Sequence, residues 1–251
     1  MRRLLPKRLA SDEAAELVDH LGELRTRLFV CVGALAVGGA IGYAVHGRLI
    51  EALEQALPPE RRRLVTYGVV EPFATSFRIS LLAGFLLVLP IILWQVWSFL
   101  APAFEESVTK AISSMVGLAG ILAGGGVVFG YAVALPAAVG FLTTYDQTLY
   151  DIQIRASDYV SFASLVLFAC AIVFELPLFV VALVRLRILD SGKLRRNRRT
   201  GYVAVAALAV ALPGVDPVTT AIEMVPLVIL FEAAIWASVL VDRRQAAAGG
   251  A

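Results

Sequence analysis

The residue with the clearest chemical potential is Glu175, a lone charge inside a long apolar run. The run extends from Tyr159 to Val184. At about 1.5 Å of rise per helical residue, Glu175 lies roughly 14 Å from the nearer end, the depth of a bilayer centre. A carboxylate there costs about 2.5 to 3.5 kcal/mol on insertion, so it is expected to face a protein interior or a hydrated cavity. Glu175 is therefore a candidate functional residue.

A second set of polar residues lies near the N-terminus at helical spacing. It consists of Glu16, His20, Glu23 and Arg27, and it runs beside an apolar stripe of Leu17, Leu21, Leu24 and Leu28. The pattern predicts an amphipathic helix that continues into an apolar segment. From the pattern alone, the polar stripe is interpreted as a solvated face with a weak Glu23 to Arg27 pair, worth a few tenths of a kcal/mol.

Motifs for common enzyme chemistry are absent from the sequence. It contains no phosphate-binding G-x-x-x-x-G-K-[ST], no zinc-binding H-E-x-x-H and no nucleophile elbow G-x-S-x-G. The two histidines, His20 and His46, are predicted to lie too far apart to share a metal. We therefore expect neither an enzyme nor a bound cofactor or metal. The net charge of +2 gives no indication of nucleic-acid binding.

Composition predicts an integral membrane protein. The 251 residues are 59% hydrophobic, and the mean hydropathy is +0.80. The apolar segments are Leu28 to Val45, Ser76 to Leu100, Ala111 to Leu142, Tyr159 to Val184, Gly201 to Leu212 and Val218 to Leu240. We expect one all-α membrane domain of six transmembrane helices (28–241), preceded by an amphipathic cytoplasmic segment (1–27) and followed by a cytoplasmic tail (242–251).

Positive charges predict the orientation of these segments. If the spans alternate, sixteen of the 22 Lys and Arg residues lie on the side of both termini. Cytoplasmic connections are rich in Lys and Arg, so both termini are expected in the cytoplasm. The exception is the cluster Arg61 to Arg63, which shares its loop with acidic residues.

The segments differ in predicted length and shape. The third segment is the longest and carries Pro136, which predicts a bend. Its glycines are expected to allow close helix packing; they are Gly117, Gly120, Gly124, Gly125, Gly126 and Gly130. Helices five and six are expected to be short, and Asp216 before Pro217 is typical of a helix N-cap. Unequal, bent helices favour a concave, glove-like bundle.

Several local motifs together resemble one family, the C subunit of the twin-arginine translocase. They occur in the family's order along the chain, and they are His20 to Leu28 (H-L-x-E-L-R-x-R-L), Pro90 to Ala103 (P-x-x-x-x-Q-x-W-x-F-x-x-P), Phe129 to Tyr131, Phe174 to Pro177, Leu212 to Asp216, and Phe231 with Glu232. The resemblance rests on all of these motifs together.

The resemblance implies a membrane receptor that binds the paired arginines of signal peptides on folded cargo. It also implies partner subunits of the TatA and TatB type, each with a single membrane span. Several copies of this chain are expected to assemble within a receptor complex in the bacterial cytoplasmic membrane. Transport is expected to be driven by the proton-motive force. The implied signal-peptide site comprises His20, Glu23, Arg25, Phe99, Glu105 and Glu106. The implied partner-helix or intramembrane polar set comprises Gln95, Glu175, Asp216 and Thr220.

Two positions depart from the family pattern. Val108 stands where the family carries its second acidic contact, so Glu105 or Glu106 is expected to replace that acid. Thr220 stands where a glutamine is common. The main alternative from the residues themselves is a proton-coupled transporter of small molecules, with Glu175 and Asp216 in a relay. Inverted repeats would favour that alternative, and we find none in the sequence.

Overall fold

The structure is a computed structural model that describes residues 11–100, 109–146, 148–149, 152–185, 189–212 and 217–248. The helices are α1 Ser11–Ala44, α2 His46–Gln55, α3 Glu71–Leu100, α4 Thr109–Phe129, α5 Leu135–Thr144, α6 Ala156–Val173, α7 Leu176–Arg185, α8 Ser191–Arg196, α9 Arg198–Ala211 and α10 Pro217–Ala248. Within these ranges there is no named strand, and one isolated bridge joins Val65 to Arg155. The predicted all-α class is confirmed.

Five described segments are long and apolar enough to cross a membrane. They are His20–Ala44, Glu71–Phe99, Val116–Thr144, Ala156–Val184 and Pro217–Leu240. The fifth predicted segment lies in α9, whose 14 residues rise about 21 Å, less than the ~30 Å hydrocarbon core. Its short length agrees with the prediction.

The prediction that the sixth helix is short is wrong. α10 has 32 residues and extends to Ala248. It therefore runs through the start of the segment predicted to be a tail. The residues after Leu240 include Arg, Gln and Ala, which favour helix, so nothing in the chain stops α10 at the end of its apolar part.

Two of the spans are interrupted beside prolines. A π-helical turn, Gly130–Ala134, separates α4 from α5, directly before Leu135 and Pro136. α6 ends at Val173 and α7 begins at Leu176, one residue before Pro177. Proline lacks an N–H donor and its ring crowds the preceding turn, so each helix is distorted at that point. The second interruption places Glu175 at a break in the helix.

The helices α1 and α3 run antiparallel and make a close backbone contact. A Cβ atom added to Gly38 would lie 2.7 Å from the carbonyl oxygen of Gly84, and one added to Gly84 would overlap the backbone of Gly38 and Gly39. Gly42 similarly meets the backbone of Ser80. Small residues spaced four apart on both helices thus allow the two backbones to touch, as in G-x-x-x-G helix pairs.

The glycines of the third segment meet different neighbours. Gly126 abuts the backbone of Cys170 in α6, and Gly130 packs against the Cys170 and Leu167 side chains. Gly117 and Gly124 have no atom within 4 Å of an added Cβ. The predicted packing role therefore applies to part of this set.

At the opposite end from the N-terminus, an ion pair joins the start of α3 to the start of α6. Arg155 donates from Nε to Glu71 Oε1 (2.9 Å) and from Nη2 to Glu71 Oε2 (3.1 Å). The backbone amides of Tyr67 and Gly68 donate to Oε2 as well, at 3.0 and 3.2 Å. The hydrogen bonds to Glu71 raise the pKa of Arg155 above its ordinary value. Local sequence patterns did not predict this ion pair.

Beside this ion pair, α2 is held against the bundle by two tyrosines. The hydroxyl of Tyr131 donates to the Ala52 carbonyl at 2.8 Å, and that of Tyr159 donates to the Leu53 carbonyl at 2.6 Å. Leu53 itself is buried in the largest apolar cluster. These bonds satisfy carbonyl groups near the C-terminal end of α2, where helices lack internal donors.

The α1–α3 contact generates a stability prediction. Gly84→Ala should lower the unfolding midpoint of the purified protein, because overpacking of a close contact costs about 1 to 3 kcal/mol. Gly33→Ala is the matched control, since nothing lies within 4 Å of its added Cβ and alanine favours helix. Equal midpoints for the two variants would contradict the close contact.

Candidate functional site

The end of the bundle where α1 begins and α3 ends holds a polar cluster centred on Arg27. Its Nη1 lies 3.4 Å from both the backbone oxygen and the side-chain Oε1 of Gln95. Its Nη2 lies 3.3 Å from the Ser98 carbonyl. Arg27 faces Gln95 in the same antiparallel register that sets Gly38 opposite Gly84. The backbone contact between the two helices thus determines this alignment.

Glu23 lies one helical turn before Arg27 and binds it. Oε1 of Glu23 accepts from Arg27 Nε at 3.1 Å and from Nη2 at 2.5 Å. Oε2 points toward His20, whose Nδ1 is 3.8 Å away. The Glu23 side chain is 37% exposed and the Arg27 side chain 22%. A second cation can therefore reach the carboxylate from outside.

A stacked pair of rings lies beside this carboxylate. The rings of His20 and Phe99 stack with centroids 4.3 Å apart and planes inclined by 18°. The guanidinium of Arg25 lies 5.7 Å from the centroid of Phe29, on a different side of α1. A guanidinium bound at Glu23 would meet the flat faces of aromatic rings as well as charge, and both attract it.

The structure brings together three of the residues expected at the signal-peptide site, His20, Glu23 and Phe99. Arg25 contacts Phe29. Glu105, Glu106 and Val108 lie outside the described residues. Gln95, which the sequence analysis grouped with the partner-helix residues, contacts Arg27 at this cluster.

Sequence reasoning missed the contribution of Arg27 and Ser98. Arg27 was visible as the last arginine of the H-L-x-E-L-R-x-R-L motif, but it was interpreted as half of a weak pair within one helix. The bonds to α3 depend on the alignment of two helices far apart in sequence. The polar stripe at Glu23 is therefore not only a solvated helix face, because Arg27 connects it to α3.

Glu175 lies at the break between α6 and α7, partly buried against α4. Its Oε1 is buried and has no hydrogen-bond partner among the described residues. The neighbouring Phe174 ring has its centroid 5.6 Å from that of Phe129, and it lies next to Gly125 of α4. A buried carboxyl oxygen without a partner costs free energy, and an added donor would relieve that cost.

The other residues of the predicted intramembrane polar set, Thr220 and Asp216, lie in or next to α10 in the sequence. Thr220 is partly buried near its start, next to the fully buried Thr219. Asp216 lies outside the described residues. Glu232, part of the Phe231–Glu232 motif, accepts a hydrogen bond from the Tyr202 hydroxyl at 2.5 Å and lies 3.5 Å from Arg198 Nη2. That acid ties α9 to α10.

Comparison with known proteins decides the family. Residues 19–226 match the family model described as Sec-independent protein translocase protein (TatC). The chain belongs to the TatC family. TatC proteins are components of a protein translocase, so this chain is a multi-pass membrane protein of that transport system.

Individual TatC relatives align over nearly the whole chain. The protein from Carboxydothermus hydrogenoformans is 32% identical over 235 residues, covering 93% of this chain and 97% of the relative. The protein from Deinococcus radiodurans is 34% identical over 234 residues, covering 90% and 86%. The crystal structure titled twin arginine translocase receptor TatC superposes with a TM-score of 0.74 at 28% identity, covering 88% of this chain and 98% of that one.

Proposed function

We propose that this TatC-family chain is the receptor for signal peptides with paired arginines, and that Glu23 is their principal contact. The supporting observation is the geometry of the Glu23 carboxylate. Oε1 is engaged by Arg27, whereas Oε2 has no hydrogen bond among the described residues and is 3.8 Å from His20. Carboxylates bind guanidinium groups by charge-assisted, often bidentate hydrogen bonds. His20 and Phe99 add stacked rings beside it.

The rest of the proposed site lies in the connection between α3 and α4. Phe99 is close to the C-terminal end of α3 and stacks on His20, so α3 ends near Glu23. Glu105 or Glu106 in this connection is proposed to supply the second acid in place of Val108. Two acids would match the two arginines of the signal.

A second surface is proposed for the single-span partner subunits of the TatA and TatB type. Glu175, Thr220 and Asp216 are the polar residues proposed to contact their transmembrane helices. The unpartnered Oε1 of Glu175 supports this role, because a donor on a partner helix would satisfy it. Several copies of the chain and its partners are proposed to form the receptor complex, which moves folded cargo by the proton-motive force.

In the membrane, we propose six spans with both termini in the cytoplasm and a concave, glove-like arrangement. α9 is then the fifth span, and its short length requires a locally thinned bilayer or hydrated helix ends. The proposed location is the bacterial cytoplasmic membrane. Family membership favours this function over a small-molecule transporter with a Glu175 and Asp216 relay.

We expect Glu23→Ala to lower the affinity for an Arg-Arg signal peptide by more than about tenfold, because a partly desolvated charged pair loses one member. Glu23→Arg should abolish binding by repulsion. The measurement is a fluorescence titration of the purified chain with labelled peptide. Glu16→Ala is the matched control, about two turns earlier on the same stripe, and should have little effect. Equal behaviour of the Glu16 and Glu23 variants would show that the stripe acts only as a diffuse negative field.

The orientation is tested by accessibility labelling of single cysteines. Cysteines placed at Ser11 and Lys193 should react from the cytoplasmic side, and those at Glu60 and Asp151 from the opposite side, in a background without Cys31 and Cys170. The asymmetry of Lys and Arg is the physical reason. Labelling of position 151 from the cytoplasmic side alone would overturn the topology.

Glu175→Ala should weaken co-purification of the single-span partners and cargo transport, while leaving membrane insertion intact, because the partner's donor loses its buried acceptor. Glu51→Ala, an exposed acid on α2, serves as control. Normal partner binding and transport by the Glu175 variant would exclude this role.

A further inference from the structure

Arg27 already occupies the carboxylate that the proposed function assigns to the signal's arginines. Its Nε and Nη2 both donate to Glu23 Oε1, at 3.1 and 2.5 Å. Arg27 has the same guanidinium group as the ligand. Any incoming arginine must therefore share Glu23 with Arg27 or displace it.

Sharing becomes unfavourable when two arginines arrive. A carboxylate offers about four lone-pair sites, so a first guanidinium can bind the Oε2 of Glu23 while Arg27 remains on Oε1. The second signal arginine brings a third guanidinium group to the same end of the bundle, where His20 already lies 3.8 Å from Glu23. Like charges at such distances repel, most strongly where water is partly excluded. Departure of Arg27 relieves this repulsion.

Arg27 has a second position within reach, at the end of α3. Its Nη1 lies 3.4 Å from the backbone oxygen and Oε1 of Gln95, and its Nη2 lies 3.3 Å from the carbonyl of Ser98. Ser98 is among the last four residues of α3, whose carbonyls lack donors inside the helix. The C-terminal end of a helix also attracts cations. These long contacts can shorten once Arg27 leaves Glu23.

We propose that Arg27 is a resident competitor for Glu23 and thereby a specificity-determining residue of the signal site. Paired arginines displace it onto Gln95 and Ser98, because a guanidinium offers bidentate hydrogen bonds equal to those that Arg27 gives up. A lysine pair offers only point charges and displaces it poorly. This inference rests on the proposed function, since it assumes that signal arginines bind Glu23.

The test is a titration of the purified full-length chain with an Arg-Arg peptide and its Lys-Lys counterpart. Arg27→Gln should raise the affinity for the Lys-Lys peptide by about two- to fivefold, the range expected when a partly exposed ion pair no longer competes. The affinity for the Arg-Arg peptide should rise by less, so the selectivity ratio, which is the Arg-Arg affinity divided by the Lys-Lys affinity, falls. Arg196→Gln is the charge-matched control, on the exposed side of α8, and should leave the ratio unchanged.

The outcomes separate this proposal from the proposed function. If Glu23→Gln abolishes binding while Arg27→Gln leaves the ratio unchanged or weakens both peptides equally, Arg27 is not a competitor and the Glu23 site stands. If Glu23→Gln has no effect, the site itself is wrong and the competitor with it. Where Arg27→Gln fails to fold, Arg27→Lys should shift the ratio in the same direction by less.

A double-mutant cycle tests the second position of Arg27. Gln95→Leu removes the side-chain acceptor for the displaced guanidinium, so it should lower Arg-Arg affinity when Arg27 is present. In the Arg27→Gln background the same change should have a smaller effect. Equal effects in both backgrounds would mean that Gln95 does not receive Arg27.

Discussion

The contact between the backbones of α1 and α3 is the constraint on which the proposed site depends. Gly38, Gly42 and Gly84 let the two helices approach until the atoms of their backbones touch. A helix pair held this closely has one register, and that register sets Arg27 opposite Gln95 and Ser98. Glu23 is then held by Arg27 beside the end of α3. A packing feature inside the membrane thus fixes the geometry of a polar cluster at its edge.

Three of the acids described above lie beside a place where a helix begins, ends or breaks. Glu71 begins α3 and pairs with Arg155 just before α6, while Glu23 and Arg27 adjoin the end of α3. Glu175 lies at the interruption ahead of Pro177. A hydrocarbon environment gives no hydrogen bonds to side chains, so acids are tolerated where loops or free backbone groups can approach them. Oε1 of Glu175 has no hydrogen-bond partner among the described residues, which is why a partner helix is proposed there.

The sequence predicted the helical class, the apolar segments and the motifs of the family, because these depend on composition and local spacing. It also indicated that α9 is short. It missed the length of α10, since no residue after Leu240 marks a helix end, and it missed the Glu71 to Arg155 pair. It also underrated Arg27, whose partners on α3 follow from helix register. Contacts between segments distant in sequence leave no local pattern, and the glycines that create the α1–α3 contact resemble ordinary small residues of an apolar run.

The central claim is that paired arginines bind at the junction of α1 and α3. The most direct measurement is photo-crosslinking of the purified chain in membranes with an Arg-Arg signal peptide that carries a photoreactive group next to its arginines. The account predicts crosslinks to residues around Glu23 and Phe99, and few with a Lys-Lys peptide of the same length. Crosslinks concentrated on another surface, or equal yields with both peptides, would contradict it.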